Sequence, residues 1–393
     1  MIYDFDKFIE RRGTHSSKWD AMAERVGVTA EDAIPMWVAE MDFEGPQEVR
    51  EALAAEVERL TFGYYTGDIT WRQAMSDWLD RHHGWQIDPD WVTPTPGVCS
   101  GLALAIQAFS DEGDTIVVFS PVYHAFYTYI DANDRQAFSH QMSEENGRYR
   151  MDLDRLEETL PDNAKMVFFC SPHNPGGTVW HPEEIRALCG FCERHDLILV
   201  ADEIHHDLVY PGNQHHVTQM VAPGITDRLI TCAGATKTFN LAGAHVGGAV
   251  IANEKLRRKF RKMAKRSGLL SYSLPGMVAT EAAQRHGDEW LSQLLPYLEK
   301  NRDLFEAGIQ MAIPGARAMH LEATYLSWVD FSGTGLKRED FMSRIGGRAR
   351  IAASPGPVFG PGGETFVRFN FATPRSRVEE AVARLGEAFA DIG

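Results

Sequence analysis

The sequence predicts an α/β chain, with a mostly parallel central sheet in a large domain and a smaller α+β domain drawn from both chain ends. Three observations predict it. Short apolar runs recur at 115–119, 166–170, 197–201, 229–233 and 246–252, most of them separated by helical or turn-rich stretches. That is the pattern of βαβ units whose strands are buried on both faces. Past residue 285 the pattern changes to a long helix followed by isolated strands. Finally, 393 residues that are 44% apolar exceed one ordinary domain and suffice for a full core.

Taken in order, residues 1–45 read as irregular and aromatic, ending in Trp37-Val-Ala-Glu-Met-Asp-Phe43. Pro46 opens an amphipathic helix through Leu60, because a proline in the first turn gives up no hydrogen bond. A glycine-punctuated loop follows at 62–67, then a second helix from about Trp71 to His83. The stretch 91–97 leads into an apolar helix over 98–109, and the strand runs begin after it. The last two runs lie close together, which leaves room for an antiparallel neighbour. Beyond Pro275 a single long helix is expected to about Met311, then strands at 322–328 and 366–371. The division follows: 1–45 and 286–393 form the smaller domain, and 46–285 the larger.

Composition excludes several classes. A net charge of −16 disfavours a phosphate-backbone partner. The one basic cluster, 255–266, has the spacing of a solvated helix face. No apolar run nears the ~18 residues that a membrane span needs, and the acidic N-terminus lacks a signal-peptide core. Five cysteines in such a chain imply free thiols and a cytoplasmic setting. Cys189 and Cys192 have redox-motif spacing but sit in a helical pattern with no second pair, so core packing is expected. The histidine pairs His82/His83 and His215/His216 have no acid or cysteine at ligand spacing, so no metal is expected.

The chemistry gathers at the strand ends, where open α/β sheets place their ligands. Lys237 follows the run 229–233, with no lysine or arginine within seven residues before it or ten after. A lysine so placed is costly unless deprotonated, and a deprotonated amine is a nucleophile and a base. Asp202 follows 197–201 and Asn174 sits in the tight turn after 166–170. Tyr123 follows 115–119. Pyridoxal phosphate would use all four groups: an amine for its aldehyde, an acid facing its pyridine nitrogen, a donor at its phenolate and an aromatic against its ring. The glycine-flanked start of the helix at 97–101 offers free N–H groups to its phosphate.

Here a family resemblance becomes specific. The motifs Trp37–Phe43, Pro172-His-Asn-Pro-Gly-Gly177, Asp202-Glu-Ile-His-His-Asp-Leu208, Thr236-Lys-Thr-Phe-Asn-Leu-Ala-Gly243 and Glu322-Ala-Thr-Tyr-Leu326 occur in order along nearly the whole chain. Together they resemble those of fold-type I pyridoxal-phosphate enzymes of the class I/II aminotransferase superfamily, and within it the cystathionine β-lyase-like C–S lyase branch. The resemblance implies that Lys237 joins the cofactor aldehyde and that Asp202 partners the pyridine N–H. Asn174 and His205 would face the phenolate oxygen, and Tyr123 would stack on the ring. Val98 and Cys99 would give backbone N–H groups to the phosphate. Arg368 would grip the substrate α-carboxylate, which Ala39 approaches through its backbone. Tyr64 would reach the phosphate of a neighbouring subunit in a homodimer with shared sites.

The chain departs from the pattern at three places, one of them the minor exchange of the usual Asp for Glu40. His245 stands where many relatives have a phosphate-binding arginine, and Gly234 where serine is common. The phosphate grip is therefore expected to fall on the helix N-terminus, Tyr64 and Thr236. The implied reaction is elimination of a thiol from an L-amino acid to give pyruvate and ammonia. Transamination is the alternative, since both begin with removal of the same Cα proton. A DNA-binding regulator or a nicotinamide dehydrogenase is disfavoured, because neither an N-terminal helix-turn-helix nor a Gly-x-Gly-x-x-Gly turn after a strand is present.

Overall fold

The computed structural model describes residues 2–392. Seven strands form the main sheet, in the order Val92–Thr95, Gly247–Val250, Leu229–Ala233, Ile198–Asp202, Ala164–Cys170, Thr115–Ser120 and Gln136–Gln141. Gly247–Val250 runs antiparallel to both of its neighbours, while the other pairings are parallel. The central strands are buried along their length: all five residues of Leu229–Ala233 and all six of Thr115–Ser120 are covered. Each Val, Leu, Ile or Phe buried this way stabilises the fold by about 1.5–3 kcal/mol. This explains why these strands read as unbroken apolar runs.

Two strands of this sheet escape the hydrophobic pattern. Gln136–Gln141 is mostly exposed or half-buried, so it has no apolar run to announce it. Val92–Thr95 carries a proline, which an edge strand tolerates because its outer side needs no ladder donor. The expected single helix to Met311 is two helices, Leu274–His286 and Asp288–Ala312, broken at Gly287. A Cβ at Gly287 would come within 2.3 Å of the Phe239 ring, so the break lets the chain pass close to the lysine turn.

A second sheet, of four antiparallel strands, has the order Arg317–Ala318, Leu326–Asp330, Phe366–Asn370 and Ser354–Pro355. The expected strand at 322–328 starts only at Leu326. Its first residues form a buttress instead, described below. The N-terminal strand Ile34–Pro35 pairs in parallel with Ile351–Ala352, so the two chain ends meet. Residues before it, expected to be irregular, include the short helices Ser17–Asp20 and Met22–Val26.

The basic helix Glu254–Arg266 buries only Phe260 and Ala264 and turns most of its cations outward, while Arg257 and Arg261 are half-buried and hydrogen-bond to the Ile251 and Val92 carbonyls. Cys189 and Cys192 are both buried, and burial pushes the Cys189 thiol up to about 12. They are packed, unreactive thiols. Among the described residues, no helix is long and apolar enough to cross a membrane.

Candidate active site

Six stretches from distant parts of the chain converge on one cavity of about 490 Å³, at the strand ends of the main sheet. Its lining includes Ala39, Val98, Cys99, Tyr123, Asn174, Asp202, His205, Thr236, Lys237 and His245. The fold thus brings together eight of the ten expected site residues directly, and places Arg368 against Asn174 through a 3.0 Å hydrogen bond. Tyr64 lies elsewhere and is 98% exposed.

The turn Thr236–Gly243 explains how Lys237 is aimed. Asn240 adopts a left-handed backbone (φ 56°), which asparagine tolerates. Its side-chain amide donates to the Met41 and Phe43 carbonyls, and its oxygen accepts from Met41 N–H. Asn370 holds the same segment from the other side, donating to the carbonyls of Val38 and Glu40 at 2.6 Å each. With Lys18 Nζ also donating to Glu40, residues 38–43 are clamped against the lysine turn. Lys237 Nζ then donates to the Ala39 carbonyl at 2.7 Å.

Lys237 forms no hydrogen bond to a carboxylate among the described residues. Burial lowers its pKa and nearby Arg368 adds to the effect, although Cys99, Glu40 and Asp202 oppose it. An amine whose charged form burial disfavours, facing a cavity, is suited to be the nucleophile that an aldehyde ligand requires.

Asp202 ends the strand Ile198–Asp202, so its side chain is buried where the sheet meets the cavity. Its carboxylate accepts from the Ile204 N–H at 3.2 Å and has no salt-bridge partner among the described residues. Burial pushes its pKa up to about 7. A buried acid left without a counter-cation fits a cationic ring nitrogen placed opposite it. His205 is buried beside it, with Nδ1 unsatisfied and its pKa pushed down by burial and then by Lys237. A neutral imidazole with a vacant nitrogen is suited to the oxygen of a ligand.

Arg368 sits on the strand Phe366–Asn370 and is 3% exposed. It donates to Asn174 Oδ1 and, at 2.9 Å, to the Trp37 carbonyl, and its Nε has no partner. Its guanidinium lies 4.7 Å from the centre of the Phe359 ring. Burial depresses its pKa to about 10. No carboxylate pairs with it among the described residues. A desolvated guanidinium without an acid is a receptor for one.

The helix Gly97–Phe109 points its N-terminus into the cavity, with Gly97 at φ 76°. Gly247 makes the approach possible, since a Cβ there would meet Val98 N at 2.8 Å and Gly97 C at 3.0 Å. Gly247→Ala is therefore expected to push the helix start aside and lower stability by about 1–3 kcal/mol. Titration of the unloaded variant with pyridoxal phosphate checks the second expectation, a weaker affinity. Unchanged affinity and an unchanged unfolding midpoint would show that the close approach is not needed.

The remaining motifs are structural supports. Glu322 and Ala323 donate their N–H groups to the Gly177 carbonyl at 3.1 and 3.0 Å, and Glu322 Oε2 accepts from Val179 N–H. Thus Glu322-Ala-Thr-Tyr-Leu326 buttresses the Asn174 turn. Gly177 is left-handed (φ 65°) and packs on Leu321, whose Cδ2 would lie 2.3 Å from a Cβ there. Tyr129, which also lines the cavity, leaves no mark in the sequence; its helix, Ala125–Ala132, is too short to show a clear face.

The histidine pairs need a correction. Sequence spacing offers them no acidic partner, yet His83 Nε2 lies 2.8 Å from Asp207, and His215 Nε2 lies 2.9 Å from Glu203. The acids are far away in sequence, so spacing could not reveal them. His82 does remain near the surface, stacked on Trp78 and paired with Asp288.

A sequence model of the family described as aminotransferase class I and II matches residues 31–385. The chain belongs to that family. Among class I and II relatives it is 37% identical to cystathionine beta-lyase PatB of Bacillus subtilis, over 98% of this chain and 99% of the relative. It is 30% identical to the protein MalY of Escherichia coli, over 98% of each chain. Its fold superposes on cystalysin of Treponema denticola, a structure that contains pyridoxal 5'-phosphate, with a TM-score of 0.96 and 31% identity over the full length of both chains. The class I and II assignment agrees with the α/β architecture of the main sheet and with the lysine at its strand ends.

Proposed function

We propose that this chain is a pyridoxal-phosphate-dependent C–S β-lyase that releases a thiol from an L-amino acid of the cystathionine or cysteine S-conjugate type. The observation that carries the reading is the pairing, in one cavity, of a lysine free of acidic hydrogen bonds with a buried acid that lacks a cation. The full-length similarity to a cystathionine beta-lyase directs that site towards carbon–sulfur cleavage.

When bound, the cofactor supplies a conjugated ring able to take up the electrons left on the substrate Cα. The protein's residues do the rest. Lys237 Nζ would hold the cofactor in the resting enzyme and, once substrate has displaced it, would take the Cα proton. Asp202 would stay ionised against a protonated ring nitrogen, because a positive charge placed opposite would pull its raised pKa back down. Arg368 holds the α-carboxylate and fixes which Cα bond faces Lys237. Asn174, held by Arg368, and His205 would present polar atoms to the cofactor's phenolate oxygen, and Tyr123 would cover the ring. The β-thiolate would then leave as the Cα–Cβ double bond forms and would take up a proton, and water would convert the released enamine to pyruvate and ammonia.

The same reading makes the enzyme a homodimer. Tyr64 is exposed within a stretch that also exposes Leu60, Phe62 and Ile69, which is costly in an isolated chain. Tyr64 serves the phosphate of a second copy, and the chain ends 1–45 and 286–393 act as the smaller domain over each cavity.

The test is an assay of the purified holoenzyme with L-cystathionine and with an S-alkyl cysteine. Free thiol and pyruvate are expected in equal amounts without any added keto acid. Product formation only when a second keto acid is supplied, with no free thiol, would instead establish a transaminase.

A further inference from the structure

Behind the cavity wall lies a polar cluster that the lysine chemistry leaves unused. Asp207 is buried and accepts hydrogen bonds from separate parts of the fold. Helix Asp68–His83 contributes Trp78 Nε1, at 3.1 Å from each carboxylate oxygen, and His83 Nε2, at 2.8 Å. Thr238 Oγ1 donates from the lysine turn at 2.6 Å, and His206 Nε2 lies 3.3 Å away on Asp207's own turn. The His83 and His206 rings are 4.7 Å apart, and His215 stands 5.5 Å from His83. Alongside, buried Glu203 accepts from Thr218 and faces His215.

Two buried carboxylates that both act on His206 demand positive charge. Burial alone would lower the His206 pKa, but Asp207, Glu203 and Asp202 outweigh it and raise it. Burial would likewise raise Asp207, but His206 and His83 hold it well below the usual carboxylate range. Burial keeps His83 low, so the proton belongs on His206. The charged and titratable groups facing His206 are Asp202, Glu203, His205 and Asp207 from its own turn, His83 from the helix and His215 from the following loop. The lysine turn meets the cluster through the Thr238 hydroxyl.

Thr238 is the residue next to Lys237, and His206 is next to His205 in the cavity wall. We propose that Asp207, paired with His206 and His83, is a proton-dependent clamp that positions Lys237 through the Thr238 hydroxyl. The inference rests on the role given to Lys237 above. Its sign follows from the shifts. A raised His206 pKa makes the clamp fully stable below about pH 6.5, the ordinary histidine value, and weakens it as pH rises through the folded value. The depressed Asp207 pKa confines its own loss to strongly acid solution. The clamp therefore loosens on the alkaline side.

The histidine and carboxylate ligand atoms of His83, His206 and Asp207 lie within 4.8 Å of one another, so a zinc site is the competing use. The clamp is favoured because the Asp207 oxygens are already filled by Trp78, His83 and Thr238 donors.

The experiment uses holoenzyme carrying Asp207→Asn, Thr238→Val or His206→Asn, with kcat and KM measured from pH 6 to about pH 9, a range set by the histidine value. Asp207→Asn and Thr238→Val are expected to lower kcat about 10–100-fold, the scale of a small misplacement of a reacting group. KM is expected to stay within about threefold, since uniform binding is untouched. The double variant should lose no more than the worse single, because both act on one link. His206→Asn should abolish the alkaline fall in kcat and the matching pH response of the cofactor's visible band. A purely structural role would lower the unfolding midpoint and leave the pH profile unmoved. If Asp207→Asn does not fold, Thr238→Val and His206→Asn decide alone. The proposal is overturned by wild-type kcat and pH profiles in these variants, or by fully additive losses. It is also overturned if the wild-type enzyme keeps one equivalent of zinc through dialysis against a chelator and His206→Asn loses it. Borohydride fixation of cofactor on Lys237 in each variant separates this outcome from a failure of the lysine assignment itself.

Discussion

Replacing Lys237 by alanine is expected to lower thiol release by about 10³-fold or more, since it removes both the attachment point and the base. The visible absorption of the lysine-bound cofactor should vanish with it. The effect is large because no other amine lines the cavity among the described residues. The fold should survive, for the side chain makes one hydrogen bond, to Ala39, and the segment 38–43 is held independently by Asn240 and Asn370. A Lys237→Ala variant that is folded, loaded and still coloured would show that the amine acts elsewhere.

The second large effect is expected at Arg368. Removing the guanidinium should cost about 2–5 kcal/mol of transition-state binding, or roughly 30- to 5000-fold in kcat/KM, the range for truncating one partner of a desolvated charge pair. Arg368→Lys should recover little of this, because a compact ammonium lacks the planar fork that reaches Asn174 and the Trp37 carbonyl while gripping a carboxylate bidentately. Stability should move the other way. The depressed pKa of Arg368, about 10, means that the fold strains against its charge at neutral pH. Arg368→Met is therefore expected to unfold at or above the wild-type midpoint while losing activity. A variant that loses stability and activity together would make Arg368 a structural residue. Assays with substrates lacking the α-carboxylate provide the control: they should lose nothing further in the variant.

The legibility of the sequence followed burial. The five inner strands could be read because a strand covered on both faces needs apolar residues throughout, as Thr115–Ser120 and Leu229–Ala233 show. The polar edge Gln136–Gln141 obeys no such demand, and Val92–Thr95, although buried, is only four residues long and its two threonines and proline leave no apolar run to read. The break at Gly287 was hidden because apolar periodicity continues across it, while its cause, the Phe239 ring, lies in the lysine turn.

The site divides in the same way. Lys237, Asp202, Asn174 and Tyr123 were visible because each stands at the end of a strand or within four residues beyond it, so one-dimensional position implied three-dimensional position. Arg368 and Ala39 depended on motif resemblance, since nothing local marks an arginine in a strand as a carboxylate receptor. The Asp207 cluster could not be read at all. Its partners, Trp78, His83 and Thr238, approach from both sides in sequence, and only the folded chain puts Asp207 within reach of them. The motif Glu322–Leu326 was misread as strand because its β-favouring residues serve a different need, holding the turn at Gly177 through backbone N–H groups.

The central claim is that Lys237, at the end of the strand Leu229–Ala233, carries the cofactor opposite Asp202. Borohydride reduction of the holoenzyme, followed by proteolysis and mass spectrometry of the peptides, tests it most directly. The predicted result is one pyridoxyl group per chain, on Lys237 and on no other lysine. Attachment at a different lysine, or no attachment in enzyme that binds the cofactor, would contradict the account.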